Sequence, residues 1–220
     1  MTYILNIETA TKNCSVSLTK NGQTIALREI AEQGYSHAEK LHVFIEEIIR
    51  EAGILFNDLS AVAVSQGPGS YTGLRIGVST AKGLCYSLNI PLISTDTLTS
   101  LASKVKIEKG IIIPMIDARR MEVYSAIFDS NFAMIREVQA EVLNENSFSD
   151  FKETIYFLGD SNEKAKTILT NSNFVFLDDF VYPSSTEMNI LSFEKYKNRT
   201  FEDVAYFEPY YLKDFMMITK

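Results

Sequence analysis

The sequence is poor in the residues from which metal centres, disulfide frameworks and nucleic-acid clamps are built. Two cysteines, Cys14 and Cys85, occur in 220 residues, both in apolar surroundings and without metal-type spacing. That pattern argues against a disulfide framework and for a reducing compartment. Two histidines, His37 and His42, are present, which supplies general acid–base and zinc chemistry poorly. No apolar run approaches the roughly 20 residues that span a bilayer. The start, Met1-Thr2-Tyr3-Ile4, carries neither a basic segment nor a long apolar one. The expectation is a cytoplasmic chain with no signal peptide and no membrane association. Basic residues are also short, 21 against 28 acidic for a net charge of -7. No basic stripe marks a surface that holds nucleic acid by counterion release. If RNA is involved, another subunit supplies most of the grip.

What is present is ordinary for a chain that buries a core, with 46% hydrophobic and 22% charged residues, and the length suffices for one large domain or two small lobes. Tyr3 to Glu8 alternates like a strand. Cys14 to Thr19 and Thr24 to Ile30 read as two more, joined through Asn21-Gly22, a pair suited to the positive φ angles of a tight hairpin turn. The period then changes. Ser36 and Glu39 form a capping box ahead of an apolar stripe of Leu41, Phe44, Ile45, Ile48, Ile49 and Ala52, and Gly53 stops the helix. Leu59 to Val64 reads as a strand covered on both faces. A helix over about Ser70–Leu88, a strand at Pro91–Ser94 and a short helix over Asp96–Lys104 follow.

The second half repeats this order in its elements, not in residue identity. Ile111–Ile116, Glu122–Phe128 and Phe132–Glu141 read as strands, a helix is expected near Ser147, and Ile155–Leu158 is a strand. Asn162–Leu169 reads as helical and Phe174–Leu177 as extended. A further helix over Ser184–Tyr196 begins at a second capping box, Ser184 with Glu187. Two lobes, 1–106 and 107–220, each ordered β-β-β-α-β-α-β-α, predict a duplicated α/β fold of the actin, sugar-kinase and Hsp70 (ASKHA) architecture. In that architecture nucleotide sits between the lobes.

The most informative segment is Gly67-Pro68-Gly69-Ser70-Tyr71-Thr72-Gly73-Leu74-Arg75-Ile76-Gly77. A proline that fixes φ stands between glycines that permit turns closed to other residues, and Ser70 is placed to cap the helix that follows. Free amides at such an end can bind an anion, although the segment lacks the Gly-Lys-Ser/Thr ending of a Walker loop. Gly73, Gly77 and Ala81 share one helix face. With Gly83 added, each interior glycine costs roughly 1 kcal/mol against alanine, which packing must recover. Small residues let another helix approach more closely than the usual 8–10 Å or so. That helix lies either in the same lobe or in another subunit.

Gln66 to Gly77 resembles the signature of the TsaB family, and other matches fall in order. They are Ile4-Leu5-Asn6-Ile7-Glu8-Thr9-Ala10, Ser36-His37-Ala38-Glu39-Lys40-Leu41, Asp117 to Tyr124, and Glu208-Pro209-Tyr210-Tyr211-Leu212-Lys213. The similarity spans the chain and is sharpest over the first 125 residues or so. It implies the non-catalytic partner in bacterial synthesis of threonylcarbamoyladenosine, the modified base beside the tRNA anticodon. The implied partners are the catalytic paralogue TsaD and the ATPase subunit TsaE, with tRNA met only indirectly; a homodimer whose glycine helices self-associate until the partner arrives is a third reading. No cofactor of its own is implied, and ADP or ATP is the candidate ligand at the subunit junction. An autonomous ATP-dependent phosphotransferase of the same architecture is the alternative.

No catalytic and no metal residues are assigned. The paralogue resembles this chain in its Gly-Pro-Gly junction and binds metal through His-x-x-x-His, but here Leu41 stands at the second position. His42 is rotated by about 140° from His37 on an ideal helix and cannot replace it. Glu8 stands where the family usually carries Asp, one methylene shorter, which argues against magnesium chemistry. The partner interface is expected on His37, Leu41, Phe44, Tyr71, Thr72, Gly73, Arg75, Ile76, Gly77, Thr80 and Ala81. Candidate nucleotide or anion contacts are Glu8, Thr9, Gly67, Gly69, Ser70, Asp117 and Arg119, the last two also readable as a self-satisfied turn. Asp178-Asp179 and the tail aromatics Tyr206, Phe207, Tyr210 and Tyr211 read as surface and docking features.

Overall fold

A computed structural model describes residues 1–31 and 37–212; Ser36 of the first capping box and Lys213 of the tail motif lie outside them. The elements run β1 (Tyr3–Glu8), β2 (Asn13–Lys20), β3 (Gln23–Ala31), α1 (His37–Glu51), β4 (Ala61–Gly67), α2 (Tyr71–Leu88), β5 (Leu92–Asp96) and α3 (Thr97–Ala102). They continue with β6 (Ile111–Asp117), β7 (Glu122–Asp129), β8 (Met134–Val142), β9 (Ile155–Leu158), α4 (Asn162–Lys166), β10 (Phe174–Phe176) and α5 (Met188–Lys197). Local chemistry sets many of these boundaries. Asn21 and Gly22 turn at φ +52° and +83°, as a tight hairpin needs, so Lys20 pairs with Gln23. Ser70 caps α2 by accepting from the Gly73 amide at 3.3 Å. Asp96 caps α3 by accepting from Thr99 at 2.7 Å.

The duplication appears in the sheets. One is ordered β3-β2-β1-β4-β5 and the other β10-β9-β6-β7-β8, the same topology read from opposite edges. In each, three antiparallel strands lead, and two parallel ones extend the sheet from the first strand. The helices do not keep to the division at residue 106. α3, inside the first segment, packs Leu98, Leu101 and Ala102 onto Ile112, Ile116, Ala126 and Phe128 of the second sheet. α5, inside the second, packs Met188, Phe193 and Tyr196 onto Ile4, Ala61, Ala63 and Ile93 of the first. The lobes therefore interlock.

The outer face of the first sheet is apolar. Leu5, Ile7, Val16, Leu18, Val62 and Val64 meet Leu41, Ile45 and Ile48 of α1 and Val78, Ala81 and Cys85 of α2. Each such aliphatic side chain, once buried, contributes about 1.5–3 kcal/mol. The inner face is partly polar. Ser192 donates to Asn6 Oδ1 at 2.6 Å, Ser17 donates to Asn189 Oδ1 at 2.9 Å, and the Ser15 and Ser185 hydroxyls lie 2.8 Å apart. The helix expected near Ser147 is a run of turns over 145–150, in which Leu143 and Phe148 cover the second sheet. Among the described residues no helix is long and apolar enough to cross a membrane.

Candidate functional site: the glycine junction, the interlobe cleft and the α1–α2 groove

The first surprise is what occupies the start of α2. The Ser70 amide donates to Ala10 O at 2.7 Å, and the Thr9 hydroxyl donates to Gly73 O at 2.7 Å. A Cβ on Gly69 would stand 2.3 Å from Ala10 O, on Gly73 2.1 Å from Thr9 O, and on Gly77 2.3 Å from Thr9 Oγ1. The β1–β2 turn thus sits against the glycine face of α2, closer than any Cβ permits. Gly67 has φ +114°, a conformation open in practice to glycine alone. The glycines seat Thr9 and Ala10, and the Ser70 amide, a candidate anion donor, is already engaged within the protein.

This corrects the interface expectation in part. Gly73, Gly77, Ala81, Leu41 and His37 are buried within the first lobe, so their side faces reach no surface. His37 Nε2 lies 2.7 Å from Thr11 O. A carbonyl only accepts, so Nε2 carries the hydrogen, and the imidazole pins the start of α1 to the β1–β2 turn. Thr72 and Arg75 are exposed, while Phe44, Tyr71, Ile76 and Thr80 are half-buried. Tyr71 and Arg75 face the chain's own tail: the Arg75 guanidinium lies 4.1 Å from the Tyr71 ring centroid, and its Nε donates to the Tyr211 hydroxyl at 3.2 Å. The tail is held further by Lys82, which donates to Ala205 O and Phe207 O, and by the Tyr210 amide on Gln66 O at 2.8 Å.

The interlobe cleft opens at the carboxyl ends of β6 and β9, where open α/β sheets place ligands. A cavity of about 470 Å³ there is lined by Lys12, Asp117, Asp160, Glu163, Lys166 and Asp178, among others. Sequence reasoning passed over Gly159 and Asp160. Gly159 has φ +118°, and a Cβ would lie 1.9 Å from Met115 O. Asp160 accepts from the Asp117 amide at 2.8 Å, and burial pushes its carboxyl up to about 6. Asp117 receives the Arg119 amide at 3.1 Å and the Lys164 ammonium. Of the two turn residues, Asp117 lines the cavity and Arg119 does not. Asp178, expected as a surface and docking feature, lines it too and accepts from Asn162 at 3.2 Å.

Glu8 closes the first-lobe side of the turn and is fully buried. Its Oε1 accepts from the Ala10 amide at 2.6 Å and from the Ser65 hydroxyl at 2.8 Å. Oε2 has no partner among the described residues. Burial pushes the carboxyl up to about 7, against the opposing pull of those two hydrogen bonds. A magnesium–nucleotide does not fit these residues. The carboxylate that would hold the ion reaches no solvent, and the cavity sets four carboxyl groups against Lys12 and Lys166, where a polyphosphate needs cations. Among the described residues no cluster of three or more His, Cys, Asp or Glu is placed to hold a metal. Cys14 and Cys85 are buried free thiols, pushed by desolvation up to about 11 and about 12.

A third feature lies on the outer face. Between α1 and α2 runs a groove of about 440 Å³ lined by His42, Ile45 and Glu46 from one helix and Ser79, Thr80, Gly83 and Leu84 from the other, with Phe56 at its end. Gly83 is exposed, and a Cβ there would meet nothing within 4 Å among the described residues. Of the expected interface residues only Thr80 lines this groove. The available signal was Gly83 itself, which falls off the small-residue stripe.

Two sheets of one topology, interlocked helices and a cleft at the strands' carboxyl ends define a protein of the ASKHA class. YeaZ from Pseudomonas aeruginosa superposes with a TM-score of 0.84 at 22% identity, over 96% of this chain and 100% of that one. The family model of TsaD, described as tRNA N6-adenosine threonylcarbamoyltransferase, matches residues 29–207. The tRNA threonylcarbamoyladenosine biosynthesis protein TsaB of Haemophilus influenzae is 31% identical over 172 residues, 77% of this chain and 69% of the relative. Its counterpart in Bacillus subtilis is 33% identical over 135 residues, 61% of this chain, and the match spans 58% of the relative's length. The chain belongs to the TsaB family.

Proposed function

We propose that this chain is a cytoplasmic, non-catalytic subunit in the synthesis of threonylcarbamoyladenosine in tRNA, and that it docks a TsaD-type catalytic paralogue along the α1–α2 groove. The observation that carries the docking site is Gly83. A helix-interior glycine costs roughly 1 kcal/mol against alanine. Gly73 and Gly77 recover that cost against Thr9, whereas a Cβ at Gly83 would meet nothing within 4 Å among the described residues. An apolar knob from a partner helix gives it one, and His42 and Glu46 supply a polar rim of the kind that surrounds interface cores. The non-catalytic reading is supported by the engaged His37, the buried Glu8 and a cleft in which four carboxyl groups face two lysines. Because that cleft opposes polyphosphate, ADP or ATP is expected at the subunit junction, and the ATPase TsaE joins the assembled pair. Without the paralogue, the groove is free to take a second copy of this chain.

The test is assembly of the purified chain with its catalytic paralogue, followed by light scattering and calorimetry. Gly83→Leu fills the groove without touching the lobe's own packing. It should weaken the complex more than about tenfold, the loss of one well-packed contact of about 1.4 kcal/mol, while leaving the chain at least as stable. Unchanged affinity would remove the groove from the interface. Absence of any complex, or ATP turnover by the isolated chain with magnesium, would remove the subunit reading.

A further inference from the structure

The second sheet carries a cavity that the role proposed above does not use. It lies at the amino ends of β6 and β9 and shares the 177–182 segment with the interlobe cleft, Leu177 and Phe180 lining this cavity and Asp178, Val181 and Tyr182 the other. Its volume is about 680 Å³, and its walls are the 104–109 loop on one side and Tyr156, Leu177 and Phe180 on the other. The loop carries Lys104, Lys106 and Lys109 against Glu108. Lys104 is paired with Glu187 at 3.6 Å. Among the described residues Lys106 and Lys109 have no ion-pair partner, although the chain as a whole carries a net charge of -7.

The wall is built, not incidental. Gly110 has φ +109°, and a Cβ there would stand 2.4 Å from Thr154 O and 3.2 Å from Tyr156 Cε2. The glycine therefore lets the lysine loop lie flush against the tyrosine ring, with the Ile111 amide donating to Thr154 O at 3.0 Å. Among the described residues, none of the successive amides of Lys106, Ile107, Glu108, Lys109 and Gly110 donates to a protein acceptor. Ammonium groups and backbone donors on one wall suit a phosphate. Half-buried aromatic rings on the other suit the stacking of a planar base.

We propose that this cavity binds one nucleotide of a single-stranded RNA segment, with its phosphate on Lys106 and Lys109 and its base against Tyr156 and Phe180. The choice of RNA over a free nucleotide rests on the proposed role in tRNA modification. This chain then adds one local contact to a substrate held mainly by its partners.

The experiment is fluorescence anisotropy of the full chain with a labelled single-stranded RNA of about ten nucleotides. The same RNA as a duplex and ATP alone serve as comparisons. Wild-type affinity should fall with salt at a slope of about -0.7, the value for one phosphate neutralised on a single strand. Lys106→Glu with Lys109→Glu should lower affinity by about tenfold or more and flatten that slope. Tyr156→Leu should weaken binding without changing the slope. Lys20→Glu with Lys197→Glu, which changes the net charge equally on the first lobe and α5, should have little effect. Equal losses from the two charge reversals would overturn the site. So would a duplex or free ATP that binds as tightly as the single strand, or no detectable binding at low salt. Assembly with the catalytic paralogue, measured on the same variants, is expected to be unchanged. A chain that assembles but ignores RNA defeats this inference alone, and one that binds RNA through the loop but does not assemble defeats only the docking role.

Discussion

Glycine-to-alanine substitution at two positions of α2 should move stability in opposite directions. Helix propensity favours alanine by about 1 kcal/mol at either site, so any difference reports the surroundings. At Gly83 the new methyl meets nothing within 4 Å among the described residues, and the full gain of about 1 kcal/mol is expected. At Gly73 the methyl would lie 2.1 Å from Thr9 O, where ordinary contact begins at 3.4 Å. Backbone must therefore move by more than an ångström. The turn that must move is fixed by the Thr9 hydroxyl on Gly73 O and the Ser70 amide on Ala10 O, both at 2.7 Å. Overpacking costs about 1–3 kcal/mol, and a weakened hydrogen bond adds about 1 kcal/mol. Set against the propensity gain, the net loss is about 1–3 kcal/mol. At about 2–4 °C per kcal/mol for a chain of this size, thermal unfolding followed by circular dichroism should show Gly83→Ala a few degrees above the parent and Gly73→Ala several degrees below. A shift of the same sign for both variants would refute the claim that one glycine is seated on Thr9 and the other is open.

Other consequences are separable. Glu8 has a folded pKa of about 7 against an ordinary 4.5, so the folded state binds more protons than the unfolded one between those values, and stability falls as pH rises through that window. The loss is about 3 kcal/mol when complete above pH 7; urea titrations at pH 4.5 and 8 should show Glu8→Gln flattening this dependence, and an equal pH slope in both proteins would contradict it. His37→Ala removes the bond to Thr11 O at 2.7 Å and leaves a buried carbonyl unpaired, for a loss of about 1–3 kcal/mol by urea denaturation; a neutral outcome would mean that α1 is anchored elsewhere. Lys82→Met frees the carbonyls of Ala205 and Phe207, and hydrogen exchange at the Tyr210 amide should quicken by about tenfold if Lys82 holds the tail with roughly 1.4 kcal/mol. An unchanged rate would assign the tail to its aromatic contacts instead.

Features whose cause is local were legible in the sequence. The Asn21-Gly22 turn, the Ser70 cap and the strand at Ile155–Leu158 each follow from a few neighbouring residues. The repeated order of elements was legible, apart from the second lobe's first helix, which is a run of turns over 145–150, because each hydrophobic period marks its own element. Periodicity does not say which sheet a helix covers, and so the exchange of α3 and α5 was hidden. α5 shows why: its buried face includes Asn189 and Ser192 as well as Met188, and their partners Ser17 and Asn6 lie more than 160 residues away. The cleft was half legible. Asp117 was found through its turn, but Gly159 and Asp160 carry no local signal except a glycine after a strand, and their meaning depends on Met115 and Asp117 across the sheet.

The small-residue face of α2 makes the same point in sharper form. Regular spacing showed that something approaches the helix closely, but spacing carries no information about which chain it belongs to. The structure assigns that face to Thr9 and Ala10, residues bound to the junction across about sixty positions of sequence. Gly83 breaks the spacing, and among the described residues nothing packs within 4 Å of the position a Cβ there would take. A regular stripe is what a continuous intramolecular contact selects, since every turn of the helix meets the same turn and strand. A single glycine out of register, beside a groove with one apolar wall on each helix, is what a discrete knob from outside requires. The partner surface is therefore sought on the side of α2 turned away from its own sheet, where His42, Glu46, Ser79 and Leu84 stand around that open position.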